Sequence, residues 1–317
     1  MVDQDFPRAI HLPGGNFFDD MRVDIAESHK GLQGYTFRAN VQTSGRLASM
    51  LNYALNAVTQ RLRINEFLMV SGLRRKWFDE FMGYWTGVLS GRPLSFLDFF
   101  MLLHDYRKRQ QHMEELDWDT PEKHVRNWQD YGAIYSIFSL TRNAGTRPIV
   151  GRALWKHLKP GARILEYGCS LAPFYHTYRN FYAYRKCSWM LADLANFPFH
   201  YAKFIYRHDP NLNFHTIEPS AFVNPLPANA TFDVVIVVNV FEHLDAPLLA
   251  AQYLLSRMTA GALLVFDFLE SDGKGFDTPK GLEQREICLV YLSERLDVVY
   301  GSIDASKDVG FTIGRIR

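Results

Sequence analysis

The amino-acid sequence predicts an α/β protein in which a mainly parallel sheet follows a helical N-terminal region. From about residue 160 onward, short apolar runs alternate with helix-length segments, which is the pattern of strands joined by crossovers. Before residue 118, apolar residues instead recur at helical spacing. At its end the sequence has two strand-like runs joined by a short polar turn, which indicates an antiparallel pair at one edge of the sheet.

Residues 1–118 are predicted to form an N-terminal arm and a helical domain. Residues 1–40 show no sustained periodicity, so we expect them to be mostly irregular. Apolar spacing then predicts helices over 44–62, 73–88 and 95–111, with a stop at Gly91-Arg92-Pro93 after the second. The helical pattern therefore covers most of this domain.

Residues 119–317 are predicted to carry the sheet. Thr120 followed by Pro121 is a typical helix start, and the helix that follows is rich in aromatic residues. The connection after the third strand is irregular and rich in proline and asparagine. The predicted strands are 163–167, 189–193, 213–217, 232–239, 262–268, 296–303 and 310–316.

Composition argues against several classes of partner. The chain has 35 basic and 34 acidic residues, so a nucleic-acid surface is not expected. Cys169, Cys187 and Cys288 match neither a zinc spacing nor a disulfide framework, which favours a reducing cytoplasm and no metal site. We find neither a signal-peptide pattern nor an apolar run near the ~20 residues of a membrane span, so a membrane partner is not expected. The oligomeric state stays open.

Two points in the second domain indicate a nucleoside-containing ligand. The apolar run 163–167 stops at Gly168, so a buried strand enters a tight turn and then a helix, an arrangement that presents backbone N–H groups. Asp193 ends the next apolar run, where a carboxylate can accept hydrogen bonds from ribose hydroxyls.

Three segments together carry a family resemblance: residues 159–169 with Glu166-Tyr167-Gly168, residues 190–194 with Asp193, and residues 232–244 ending in Glu242-His243-Leu244. Over residues 120–317 the chain resembles the class I S-adenosylmethionine-dependent methyltransferases, in the manner of small-molecule members with a Glu-His-Leu motif. The resemblance implies a Rossmann-like seven-stranded sheet whose last strand is antiparallel. The later glycines of the family motif are replaced here by Ser170 and Ala172, where a positive φ is costly.

The resemblance also implies a set of cofactor contacts. Gly168 lies under the methionine part, and Glu166 either contacts the amino group of the cofactor or only fixes the turn. Asp193 is expected to bind both ribose hydroxyls. Tyr131, in the aromatic segment with Trp128, either covers the cofactor or packs into the core. The expected cofactor-binding residues are Glu166, Gly168, Cys169, Ser170, Asp193, Leu194, Glu218, Asn239 and Tyr131.

His243 is the expected catalytic base and Glu242 the second candidate, because imidazole titrates near neutral pH. His243 can equally cap or pack the following segment. The leading hypothesis is methyl transfer from S-adenosylmethionine to a small-molecule acceptor, with the helical domain shaping the pocket or acting as a lid. The alternative is a catalytically inactive protein of this fold that acts as a binding module. A nicotinamide-dependent oxidoreductase ranks last, because Gly168 lacks the companion glycines that such enzymes use.

Overall fold

A computed structural model describes residues 75–89, 93–94, 98–99, 102–103, 106–107, 116–129, 133–143, 149–269 and 276–317. The predicted helix 44–62 and the candidate contact Tyr131 lie outside these ranges. The helices are α1 (Arg75–Gly87), α2 (Pro121–Trp128), α3 (Ile134–Asn143), α4 (Arg152–His157), α5 (Pro173–Phe181), α6 (Phe197–Tyr206), α7 (Pro247–Ser256), α8 (Pro279–Glu283) and α9 (Arg285–Arg295). The strands are β1 (Arg163–Tyr167), β2 (Ser188–Leu194), β3 (Leu212–Ile217), β4 (Phe232–Val237), β5 (Met258–Phe268), β6 (Leu296–Tyr300) and β7 (Val309–Ile316).

The described elements fall into two compact units. One holds α1 and α3, and the other holds α2 together with everything from α4 onward. The boundary at residue 118 stays a prediction. In the first unit, Phe81 and Phe138 meet edge to face with ring centroids 4.7 Å apart, and Phe99 lies 4.9 Å from Phe138. All three rings are fully buried, so this unit is held by an aromatic core.

The second unit contains a seven-stranded sheet with the order β3-β2-β1-β4-β5-β7-β6. The pairs from β3 to β5 are parallel, and β7 runs antiparallel to both β5 and β6. The predicted fold class, including the antiparallel last strand, is therefore confirmed. Between β3 and β4 the structure has a short 3₁₀ turn, Pro219–Ala221, in place of a helix, as the proline-rich connection indicates.

Hydrophobic burial holds this sheet together, because its central strands are covered on both faces. Leu165 on β1, Val235 on β4 and Leu264 on β5 are fully buried in one continuous core cluster. This explains the unbroken apolar runs that marked these strands in the sequence. None of the helices in the described ranges has the length and apolar character needed to cross a bilayer.

Candidate functional site

The order of the strands indicates where a ligand-binding crevice lies. Chain order reverses between the neighbouring strands β1 and β4, and ligands of open α/β sheets bind beyond the carboxyl ends of strands at such a switch point. The loops after the two strands touch there. Gly168 has φ +64°, and a Cβ on it would lie 2.5 Å from Cγ2 of Val240. Glycine is thus required both by the backbone conformation and by the close approach of the β4 loop.

The turn after β1 alternates left-handed residues. Gly168, Ser170 and Ala172 have φ of +64°, +49° and +49°. The same conformation therefore occurs at a glycine and at two residues that carry a Cβ, the two positions at which a positive φ is expected from the sequence to be costly. A non-glycine residue in this region costs about 1–2 kcal/mol, so the turn stores strain at the mouth of the crevice. Ala172 is also the N-cap residue of α5, directly before Pro173.

Asp193 closes the turn from the β2 side. Its Oδ2 accepts the Ser170 N–H at 2.6 Å, and its Oδ1 accepts the Leu194 N–H at 2.7 Å and Nδ2 of Asn196 at 3.0 Å. Burial nevertheless raises the pKa of Asp193 to about 6. A carboxylate has about four acceptor positions, so these three bonds leave room for about one more. Binding both ribose hydroxyls would therefore require one of these bonds to be given up.

Glu166 is directed toward a helix end. It is almost fully buried, and its two oxygens accept the backbone N–H groups of Phe174 at 3.1 Å and Tyr175 at 2.9 Å. These N–H groups belong to the first turn of α5, which has no acceptors of its own for them. Of the two predicted roles, the one visible in these contacts is fixation of the turn and helix. A contact with the cofactor amino group stays a prediction.

Cys169 and Leu194 line the same region. Cys169 is buried under the turn, and burial, with the nearby Asp193 and Glu166 carboxylates adding to it, raises the pKa of its thiol. A thiol in this state is a poor nucleophile. Leu194 is half-buried at the end of β2, and its N–H is bonded to Asp193.

Two further predicted contacts lie at other strand ends. Glu218 is exposed after β3, and its backbone carbonyl accepts the Ala221 N–H at 2.9 Å. Asn239 is exposed after β4 in a left-handed conformation, φ +55°. Its N–H donates to Oδ1 of Asp267 at 2.6 Å. Asp267, near the end of β5, was missed by sequence reasoning, although it carries the signal that picked out Asp193: an acidic residue at the end of a buried strand.

The two predicted catalytic residues lie in a 3₁₀ turn, Phe241–His243, after β4. Glu242 is 5% exposed, and burial raises its pKa to about 7. Its Oε1 lies 3.9 Å from Nε2 of His243. Nδ1 of His243 lies 3.0 Å from Oδ1 of Asp277, which is also buried. Sequence reasoning did not find Asp277, because it lies 34 residues further along the chain in the segment before α8.

Helix α2 lies against the loops at this edge. Trp128 stacks on Phe276 with ring centroids 4.1 Å apart and meets the His243 ring at 5.2 Å. His124, one helical turn earlier, packs edge to face against Phe222 at 5.6 Å. Burial lowers the pKa of His124 to about 4, so it is neutral at physiological pH. The helix thus contacts both the β3 loop and the β4 loop.

The structure brings the predicted residues together in two groups. The first group, at the ends of β1 and β2, contains Glu166, Gly168, Cys169, Ser170, Asp193 and Leu194. The second group lies beyond β4 and contains Asn239, Glu242 and His243, together with Asp267 and Asp277. Glu218 is exposed at the end of β3. Within the described ranges, no three histidine, cysteine, aspartate or glutamate side chains converge in a way that could hold a metal ion.

Comparisons with known proteins return no matching family model and no matching curated protein. Among solved structures, a SAM-dependent methyltransferase from Aquifex aeolicus is 20% identical over 53% of this chain and 90% of that chain, with a TM-score of 0.39. The N-methyltransferase NodS from Bradyrhizobium japonicum WM9 is 16% identical over 49% and 85%, with a TM-score of 0.37. TehB from Haemophilus influenzae is 11% identical over 58% and 67%, with a TM-score of 0.41. These identities and scores are low, so no activity is transferred from them.

Proposed function

We propose that this protein transfers a methyl group from S-adenosylmethionine to a small-molecule acceptor. One observation supports this most strongly. The turn after β1 keeps the left-handed backbone at Ser170 and Ala172, and the Ser170 N–H is bonded to the buried Asp193 carboxylate. Strained backbone of this kind persists where surrounding structure enforces it, and it clusters at ligand sites.

The residues present suit the cofactor. The turn passes close to the β4 loop at Gly168, and Asp193 retains about one acceptor position for a ribose hydroxyl. Glu166 acts through the backbone, because it fixes the first turn of α5 behind the crevice. We assign Leu194, Cys169 and Asn239 to the walls, and Glu218 to the adenine side. When bound, S-adenosylmethionine supplies a methyl group on a positively charged sulfur.

His243 is the proposed general base. Its Nδ1 lies 3.0 Å from Oδ1 of Asp277 without hydrogen-bond geometry, so Asp277 would stabilise the imidazolium that forms when Nε2 takes a proton from the acceptor. Glu242 lies beside Nε2 and is the second candidate, because its pKa near 7 allows it to hold or release a proton at neutral pH. Alignment of the acceptor is the other contribution of the protein, as in any displacement reaction.

A small-molecule acceptor is supported by the Glu-His-Leu motif and by the neutral charge of the chain, +1 overall. A nucleic-acid acceptor would call for a basic surface, and neither half of the sequence is basic.

The test is calorimetric titration of the purified protein with S-adenosylmethionine and S-adenosylhomocysteine. We expect micromolar binding that Asp193→Ala weakens by more than about 1.4 kcal/mol, a tenfold loss. Asp297→Ala, the same substitution at an exposed position on β6 at the opposite edge of the sheet, is the matched control and should leave binding unchanged. Absence of binding by folded, ligand-free protein would reject the proposal and favour an inactive binding module.

A further inference from the structure

A group of buried carboxyl side chains lies at the ends of β4 and β5. Glu242, Asp267 and Asp277 are 5%, 6% and 9% exposed. Both aspartates act to raise the pKa of Glu242, and the neighbouring side chain that acts in the opposite direction is His243. Burying like charges together is unfavourable unless a cation or a proton accompanies them. Among the described residues, the charged neighbours that act on the pKa of Glu242 are therefore two carboxyl groups and one imidazole.

One of these oxygens is unpaired. Oε2 of Glu242 is buried and has no hydrogen-bond partner among the described residues. It is the one carboxyl oxygen among the nine buried side-chain atoms of the described residues that lack a hydrogen-bond partner, and a buried carboxyl oxygen without a partner calls for a proton or a ligand. The other oxygen, Oε1, lies 3.9 Å from Nε2 of His243, whose Nδ1 lies 3.0 Å from Asp277, so the His243 ring lies between the two carboxyl groups.

The backbone around Glu242 is firmly held. Its carbonyl accepts the Thr278 N–H at 3.0 Å, and the Thr278 hydroxyl donates to the Leu244 carbonyl at 2.8 Å. Gly281 packs so closely that a Cβ on it would lie 2.6 Å from the Glu242 carbonyl oxygen. Thr278 and Gly281 therefore fix the backbone that carries the Glu242 side chain. This is preorganisation of a kind that binding sites use.

Aromatic rings lie beside the carboxyl groups. Trp128 stacks on Phe276, the residue before Asp277, and its ring also meets the His243 ring. Aromatic rings attract organic cations, and an ammonium group carries three N–H donors that match carboxylate acceptors. Together, the rings and the acids have the chemistry of a site for a protonated amine.

We propose that Glu242, with the nearby Asp277 and the Trp128–Phe276 pair, binds a protonated amino group, so that the methyl acceptor is a small amine-bearing molecule. This inference rests on the proposed function and names its substrate class. The location agrees with it: the turn and Asp193 lie at the ends of β1 and β2, and the acidic cluster lies across the switch point, at the ends of β4 and β5. Cofactor and acceptor thus have adjacent but separate positions.

The experiment compares benzylamine with its neutral counterpart, benzyl alcohol, by ligand-observed NMR titration at pH 8. Both are titrated into the full chain with and without saturating S-adenosylhomocysteine. We expect benzylamine to bind at least about tenfold more tightly than benzyl alcohol, and Glu242→Gln to remove most of that difference. Asp277→Asn, a second variant, should weaken benzylamine in the same direction. Glu286→Gln, the same substitution at an exposed position on α9, should have no effect.

Equal affinity for the two probes, or benzylamine binding unchanged in both Glu242→Gln and Asp277→Asn, would overturn the inference. If benzylamine does not bind, but MgCl₂ or MnCl₂ binds with micromolar affinity and Glu242→Gln abolishes that binding, the amine site would be rejected in favour of a metal site. Failure of S-adenosylhomocysteine to bind would reject the proposed function and with it the acceptor role of the amine, whereas the amine titration without S-adenosylhomocysteine would still test the amine site itself. Binding of S-adenosylhomocysteine without discrimination between the probes would reject only the amine site.

Discussion

The carboxyl ends of the strands can be compared in two parts, the ends of β1 and β2, called here the β1–β2 edge, and the ends of β4 and β5, called the β4–β5 edge. At the β1–β2 edge, buried carboxylates are surrounded by backbone donors, whereas at the β4–β5 edge one buried carboxyl oxygen has no such partner. Glu166 accepts two helix N–H groups, and Asp193 accepts two backbone N–H groups and one amide. Glu242 is as deeply buried as these two, but its Oε2 is without a partner among the described residues. The same chemical group thus shapes the backbone at one edge and is available to a proton or a ligand at the other.

The largest change in unfolding free energy is expected where the loop after β1 contacts the loop after β4. Gly168→Ala would place a methyl group 2.5 Å from Val240 Cγ2 and force alanine to φ +64°. We expect a loss of about 3 kcal/mol of unfolding free energy from the clash and the backbone strain together. Urea denaturation measures it.

Gly261→Ala is the matched control for Gly168→Ala. Gly261 has φ +70°, and a Cβ on it would meet nothing within 4 Å, so alanine there experiences the backbone strain without the clash. It should cost only about 1–2 kcal/mol. Equal losses for the two variants would show that the contact between the β1 and β4 loops is unimportant.

Replacing a carboxylate by a neutral side chain should change the stability of the protein in opposite directions at the two edges. Glu242→Gln is expected to stabilise the protein at alkaline pH. Burial raises the pKa of Glu242 from 4.5 to about 7, so the stability that its protonated form provides is complete below pH 4.5 and is lost as the pH rises through about 7. The variant should gain up to about 3 kcal/mol at pH 8 and less than about 1 kcal/mol at pH 5.

Thermal unfolding of wild type and Glu242→Gln between pH 5 and 8 checks this dependence. The pH-dependent gain should be absent in Glu286→Gln, the exposed counterpart on α9. A variant that is more stable and less active would show that this edge sacrifices stability for function. A gain that does not grow with pH would contradict the assignment of the raised pKa to Glu242.

Glu166→Ala should act in the other direction. It removes the acceptor for the N–H groups of Phe174 and Tyr175, which are buried at the start of α5. Loss of a charged acceptor for buried donors costs about 2 kcal/mol, and the loss should be present at pH 8, where Glu242→Gln is stabilising. Chemical denaturation of the two variants side by side is the measurement. A Glu166→Ala variant as stable as wild type would remove the distinction between the two edges.

The sequence was most informative where structure is local. The runs before Gly168 and Asp193 predicted both the strands and the polar groups at their ends, because a buried strand and its turn are encoded within a few residues. Asp277 could not be found in this way, since it meets His243 from a segment 34 positions later. The partners of Glu166 and Asp193 were also hidden, because they depend on where the backbone N–H groups of the turn and of α5 point.

The smallest expected effect concerns the strain stored at the β1–β2 edge. Ser170 is exposed and adopts φ +49°, so its side chain contributes little packing while its backbone is unfavourable. Ser170→Gly should relieve about 1–2 kcal/mol of strain, offset in part by about 0.5–1 kcal/mol from the greater freedom of glycine in the unfolded chain. We expect a net stabilisation of at most about 1.5 kcal/mol, measured by urea denaturation. Ala172→Gly is the comparison: it relieves the same strain but removes a fully buried methyl group, so its net effect should be near zero. If Ser170→Gly instead destabilised the protein, the Ser170 backbone would be unstrained, and the bond from its N–H to Asp193 would hold the turn without cost.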